Sequence, residues 1–140
     1  MHQEYQVPAQ DFSVAGLASS SLKHLLKQLN ISPMTIKRIT VAVFEAEVNV
    51  IAHSHGGSII CDLDEDAIRV EVVDTGPGIA DLQLAMTDGW STASEEVREL
   101  GYGAGMGLSN IKKNCDELTI DTKVGDHTRV SMVFSLKEKA

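Results

Sequence analysis

Glu45 and Asn49 stand four residues apart in the run Phe44–Glu45–Ala46–Glu47–Val48–Asn49. On a helix that spacing puts both side chains on one face. A carboxylate there can take a proton from an attacking hydroxyl or water. An amide oxygen beside it can serve Mg2+, a hard cation that fills most of its octahedron with phosphates and water. Spacing alone leaves open an ordinary exposed helix face. A second feature, Asp74–Thr75–Gly76–Pro77–Gly78, is a D-x-G-x-G directly after an apolar run. Its glycines let a flat ligand approach the backbone, and Asp74 can accept a hydrogen bond from an exocyclic amine such as adenine N6. A capped Pro-Gly turn has the same composition. The third feature is Gly101–Tyr102–Gly103–Ala104–Gly105–Met106–Gly107–Leu108, with glycine at four alternate positions. Successive N–H groups running into a helix N-terminus make an anion site, while the bland alternative is a flexible loop. The pattern is neither the dinucleotide G-x-G-x-x-G nor a P-loop, since no Gly-Lys pair occurs.

The elements that must hold these residues follow from periodicity. Gln3 to Val7 reads as a strand. Asp11 is the expected cap of a first helix with apolar positions Ala15, Ala18, Leu22, Leu25, Leu26 and Leu29. Ser32–Pro33 starts a second helix with the stripe Ile36, Ile39, Val43, Ala46 and Val50, ended by Gly56–Gly57. Ser58 to Leu63 and Ala67 to Val73 form a hairpin about Asp64–Glu65–Asp66. The stretch from Ala80 to Gly105 is irregular and long for a connection, as functional lids are. A third helix from Gly107 carries Leu108, Ile111 and Cys115. Thr119 to Val124 and Thr128 to Leu136 close the chain as a hairpin turning at Gly125–Asp126. The expected class is α+β, an antiparallel-rich sheet with helices on one face.

Bulk properties set the frame. The 140 residues suit a single domain spanning 1–140, with 43% apolar and 23% charged residues. The formal charge of −8 argues against nucleic acid and anionic membranes as partners. It also means that a bound nucleotide must be held by backbone N–H groups and a metal. Met1 to Val7 lacks a signal-peptide pattern and no run is long enough to span a bilayer. Cys61 and Cys115 read as buried free thiols. The expected address is cytoplasmic.

The order of the three features resembles the N, G1 and G2 boxes of the GHKL superfamily, which holds DNA gyrase B, the Hsp90 chaperones, histidine kinases and MutL. The resemblance covers roughly Ile36 to Thr128. It implies a Bergerat-type two-layer sandwich, with a mixed, mostly antiparallel sheet and a glycine-rich ATP lid. It implies ATP and Mg2+ as cofactors, with Glu45 as catalytic carboxylate and Asn49 as magnesium ligand. Asp74 matches the adenine-reading aspartate, with Gly76, Gly78 and Ile79 shaping the pocket. Gly101, Gly103, Ala104, Gly105, Met106, Gly107 and Leu108 match the lid and phosphate cradle. Thr128 matches a threonine supporting that aspartate, although Asp126 and His127 separate it from Gly125 where the family has Gly-Thr. His53 matches a histidine frequent in the small kinases.

A chain of this length leaves no room for the extra domains of gyrase B, Hsp90 or MutL. It is similar to the bacterial anti-sigma-factor serine kinases and the stressosome switch kinases. Asp88–Gly89–Trp90–Ser91–Thr92 and the Gly-Ala-Gly run at 103–105 favour the latter. The resemblance implies a kinase for a Ser or Thr of a STAS-domain protein, an anti-anti-sigma factor or a stressosome scaffold. A sigma factor or a downstream phosphatase would be further partners. Two readings stay open beside it: an anti-sigma factor that sequesters a sigma subunit with nucleotide as conformational ligand, and an ATPase without a protein acceptor.

Overall fold

The structure is a computed structural model that describes residues 1–8, 12–76 and 107–136. Its elements in chain order are β1 (His2–Val7), a 3-10 turn (Phe12–Val14), α1 (Leu17–Gln28), α2 (Pro33–His53), β2 (Gly57–Leu63), β3 (Ala67–Thr75), α3 (Gly107–Asn114), β4 (Glu117–Lys123) and β5 (His127–Ser135). The five strands form one sheet in the order β1-β2-β3-β5-β4. Every described pairing is antiparallel, where the sequence reading allowed a mixed sheet.

Alternation along the strands divides the sheet into two faces. Ile59, Cys61, Ile68, Val70, Val72, Val130, Met132 and Phe134 are buried and share one core with the helices. Ser58, Asp62, Arg69 and Arg129 alternate with them on the other face. The β2–β3 turn is closed by Asp64, whose Oδ1 accepts from the Asp66 and Ala67 amides at 2.8 and 2.9 Å. Those two bonds hold its carboxyl below the ordinary carboxylate range. Cys61 and Cys115 are both free, and burial pushes the Cys61 thiol up to about 11.

The helix α2 is the central element of the helical layer. Ser32 caps it, its Oγ accepting from the Thr35 amide at 3.3 Å, and Pro33 opens its first turn. The expected stripe of Ile36, Ile39, Val43, Ala46 and Val50 is buried, but so are Ala42, Glu47, Val48 and Ile51. Two sides of this helix are therefore core. Its C-terminus differs from the expected glycine stop: the helix ends at His53, and Ser54 is the C-cap, its hydroxyl donating to the Val50 carbonyl at 2.7 Å.

The first helix is shorter than its apolar spacing predicts. Asp11, the expected cap, lies outside the described residues; α1 starts at Leu17, and its N-cap is Gly16, with φ 93° and no capping side chain. The cap comes from α2 instead. Glu47, only 2% exposed, accepts from the Gly16 and Ala18 amides through Oε2 at 3.1 and 3.2 Å, and from the Ser19 amide through Oε1 at 3.1 Å. Three donors that a helix start leaves orphaned are thereby satisfied, and the carboxylate sits at the positive end of the α1 dipole.

Removing that carboxylate would leave buried N–H groups without partners. Glu47→Ala should cost about 3 kcal/mol or more, which is a fall of roughly 10 °C in Tm for a domain of this size. Glu47→Gln, which keeps one accepting oxygen, should cost less. Thermal unfolding followed by circular dichroism checks both, and a Tm within about 2 °C of wild type for Glu47→Ala would refute the capping role.

Candidate functional site

The D-x-G-x-G segment meets the C-terminal end of α2, the helix that carries Glu45 and Asn49. The His55 amide donates to the Thr75 carbonyl at 2.7 Å, and the Thr75 amide returns a bond to the Gly56 carbonyl at 3.2 Å. Gly76 packs so closely on this end that a Cβ there would stand 3.0 Å from Ser54 Cα. Its own amide donates to the Asp126 carbonyl at 3.3 Å, which ties the β4–β5 turn to the same point.

Asp74 lies at the end of β3 between two register partners, Gly57 of β2 and Thr128 of β5. It is half-buried. Burial pushes its pKa up, while the Thr128 backbone amide and the charges of His127 and His55 pull it part of the way back. Gly57 clears the space on its other flank: a Cβ there would fall 2.3 Å from the Val73 carbonyl oxygen and 3.0 Å from Asp74 Cα. The sequence reading placed Gly57 as a helix stop, and only the strand register shows that it faces Asp74.

Thr128 is buried and directly opposite Asp74, despite the two residues between it and Gly125. Its hydroxyl is engaged elsewhere. Thr122 Oγ1 donates its single proton to the His127 carbonyl at 3.0 Å, so it must accept from Thr128 Oγ1, 2.9 Å away. Thr128 thus reaches Asp74 through its backbone N–H and secures the β4 edge with its side chain. His127 in turn is held by Asp126 at 2.8 Å, which raises its pKa.

The third feature joins the first through α3. Glu45 and Asn49 are both half-buried on the α2 face that turns away from Glu47. Glu45 Oε1 accepts from Asn110 Nδ2 of α3 at 3.3 Å. Two turns earlier on α2, Arg38 Nε donates to the Asn114 carbonyl at 3.0 Å, and its Nη2 meets Asp116 Oδ1 at 3.2 Å. These contacts run α3 antiparallel to α2, with Ile111 fully buried between them. Leu108 is also buried in the core. Gly107 is the first residue of α3 and His53 the last of α2.

Gly78, Ile79, Gly101, Gly103, Ala104, Gly105 and Met106 lie outside the described residues, as does the whole Ala80 to Gly105 stretch. A shallow hollow of about 670 Å³ is lined by Gln6, Ser58, Ile60, Val73 and Arg129 and also by His55, Gly56, Gly57, Asp74 and Thr75. The first five belong to the sheet's outer face, and neither Glu45, Asn49 nor any described residue of α3 lines this hollow. Among the described residues no helix is long and apolar enough to cross a membrane.

Three residues of this region escaped the sequence reading. Glu47 had a signal: it stands four after Val43 and three before Val50, at core spacing. Asn110, beside the apolar Ile111, had only a weak one. Gly57 had none without the register.

The chain is 27% identical over 119 residues to the serine/threonine-protein kinase RsbT of Bacillus subtilis (strain 168), covering 82% of this chain and 84% of that protein. It is 34% identical over 110 residues to the anti-sigma F factor of Thermoanaerobacter sp. (strain X514), covering 75% of this chain and 73% of that protein. Among solved structures, its fold is similar to one in the RsbU and RsbW domains of a Mycobacterium tuberculosis protein, with TM-score 0.65 and 16% identity. That match spans 96% of this chain and 31% of the other. The SiaB–SiaC complex from Pseudomonas aeruginosa gives TM-score 0.62 and 14% identity over 94% of this chain and 88% of the other. Both are likenesses of fold. Residues 7–134 match the family described as the histidine kinase-like ATPase domain, and the chain belongs to that family.

Proposed function

We propose that this chain is an ATP-dependent serine/threonine-protein kinase, a single domain over 1–140, that phosphorylates a STAS-domain partner in a bacterial stress or sigma-factor switch in the cytoplasm. One observation carries the reading. Ser54 packs against Gly76 at the C-terminal end of α2, and Asn110 of α3 donates to Glu45 two turns earlier, so one helix contacts both the D-x-G-x-G segment and the helix that follows the glycine-rich run. The similarity to a serine/threonine-protein kinase and to anti-sigma F factors supports the same conclusion.

Each residue then has a task. Asp74 accepts the N6 amino hydrogen of adenine, and Gly57 and Gly76 keep side chains out of its way. Glu45 takes the proton of the acceptor Ser or Thr as the new bond from its oxygen to the γ-phosphorus forms. The bond from that phosphorus to the bridging oxygen breaks, and ADP leaves with the electron pair. Glycines 101 to 107 and the start of α3 offer N–H groups to the phosphates. Magnesium fits the donor set, since it needs few protein oxygens and Asn49 presents an amide oxygen on the Glu45 face. When bound, it neutralises charge on the phosphate oxygens. Positioning supplies most of the remaining rate, so a free small alcohol should be a poor acceptor.

The anti-sigma F factor relatives favour one second reading, in which the chain holds a sigma subunit and nucleotide sets its shape. Mass spectrometry of a STAS partner after incubation with Mg-ATP separates the two. A phosphorylated Ser or Thr supports the kinase. An unmodified partner, with tight nucleotide-dependent binding of a sigma factor, supports the second reading.

Glu45→Ala should lower the transfer rate by about 10²- to 10⁴-fold, with Mg-ATP still bound in calorimetry. A Glu45→Ala protein active at the wild-type rate would remove Glu45 from the chemistry.

Asp74 makes two linked predictions. GTP presents an acceptor where ATP presents a donor, so GTP should compete about 10³-fold more weakly or worse. Equal affinity would mean that Asp74 does not read the base. Stability should move the other way. The folded pKa of Asp74 is raised, so its ionisation opposes folding, and that cost grows as pH rises from the ordinary carboxylate range through the raised value. Asp74→Asn should therefore raise Tm at neutral pH, with the gain vanishing near about pH 3 where both states hold the proton. It should weaken ATP binding at the same time.

A further inference from the structure

We infer that Asn110 is a positioning residue for Glu45: its side-chain amide fixes the orientation of the carboxylate that the proposed kinase reaction uses as base. The inference rests on that reading of Glu45 and adds a residue to it.

The contact can have only one chemical sense. An ionised carboxylate accepts and does not donate, so the group that Asn110 turns to Glu45 must be its NH2. Nδ2 stands 3.3 Å from Oε1, and both residues are half-buried. With Oε1 engaged, rotation of the carboxylate about its terminal bond is restrained, and Oε2 remains to take a proton. A long, single-bonded glutamate side chain has several rotamers to lose, and losing them before the acceptor arrives lowers the cost of the reacting geometry.

The backbone behind Asn110 is itself held. The Asn110 carbonyl accepts from Asn114 Nδ2 at 2.8 Å. The Asn114 carbonyl accepts from Arg38 Nε at 3.0 Å, and Arg38 also meets Asp116. Asp116 Oδ2 accepts from the Ser135 amide at 2.7 Å, which ties the chain after α3 to β5. Asn110 is therefore a donor on a fixed helix, three residues after Gly107, and not a surface amide that happens to lie near. A lone hydrogen bond between helices would be satisfied by any polar pair. Here it is directed at the one carboxylate of α2 that faces α3, while Glu47 on the same helix is spent on α1.

The test uses the full-length protein with Mg-ATP, following turnover to ADP with and without a STAS acceptor. Asn110→Ala should lower the single-turnover rate by roughly tenfold to a hundredfold, the scale of a misplaced catalytic group. Its Kd for Mg-ATP should stay within about twofold of wild type, since the residue acts on the base and not on nucleotide. Asn110→Asp, nearly isosteric but placing a carboxylate against a carboxylate, should be slower than Asn110→Ala. In a Glu45→Gln background, Asn110→Ala should add no further loss. A readout independent of turnover is the side-chain amide resonance of Asn110 in the nucleotide-free protein. It should shift on Glu45→Gln, whereas that of Asn114 should not. If Glu45→Gln is strongly slowed and Asn110→Ala transfers at the wild-type rate, or loses equally in both backgrounds, the positioning role is overturned and Glu45 keeps its own. If Glu45→Gln is fully active, the base assignment fails and the role of Asn110 falls with it. An Asn110 resonance unmoved by Glu45→Gln would also overturn it.

Discussion

Glu47 is an almost fully buried carboxylate, and three backbone N–H groups of α1 make its burial tolerable. An isolated charge in that position would cost several kcal/mol, a large share of a domain's stability margin, and the N–H groups and the helix dipole offset it. The geometry of a helix then fixes more than one contact. Residues two apart point about 200° from each other around the axis, and residues four apart nearly coincide. Locking Glu47 onto the start of α1 therefore sets the rotation of α2, and with it the direction of Glu45 and Asn49. The apolar stripe alone is a weaker restraint, because α2 buries hydrophobic residues on more than one side. A directional anchor resolves what a hydrophobic surface leaves degenerate.

The second constraint is strand register. Asp74 has Gly57 on one side and Thr128 on the other, and a slip of one residue would turn every side chain of a strand to the opposite face. A slip would put the apolar residues of β3 in water and bring a side chain where Gly57 leaves room. Core burial and site geometry thus select the same pairing. The site sits where the register ends, at the end of the central strand β3 against the C-terminus of α2, so the backbone of three elements meets at Gly76. Burial is what raises the Asp74 pKa, and the Thr128 amide partly offsets it. A half-desolvated acceptor discriminates between a donor and another acceptor better than a solvated one, at some cost in stability.

Much of this was legible in the sequence because it depended on local patterns. The alternation of Ile68, Val70 and Val72 gives β3, Ser32–Pro33 gives the start of α2, and Glu45 with Asn49 follows from helical spacing. What was not legible depended on contacts between distant residues. The start of α1 was misplaced because its cap arrives from Glu47 instead of from a preceding side chain, and the propensity rules for caps know only local donors and acceptors. The end of α2 was misplaced because Ser54, and not Gly56, supplies the stop. Gly57 looked like a breaker until its pairing with Asp74 was known, and nothing in the sequence told that Thr128 would support Asp74 through its backbone N–H. In each case the residue type was informative and its partner was not.

The charge balance gives the last step of the argument. A chain of net charge −8 that holds a nucleotide, as proposed, must bind an anion against its own field. The basic residues of α3, Lys112 and Lys113, stand in its last turn, where they complement the negative end of the helix dipole and not the end nearest the glycine-rich segment. Attraction for phosphate must then come from N–H dipoles and a bound cation. Both act over short distances, so they reward a ligand already in place and do little to gather ligands from afar. Such a site spends its selectivity on fit. Guidance of an incoming partner falls to the surface of that partner, and an acceptor protein gaining negative charge on phosphorylation would meet the same acidic field and be turned away by it.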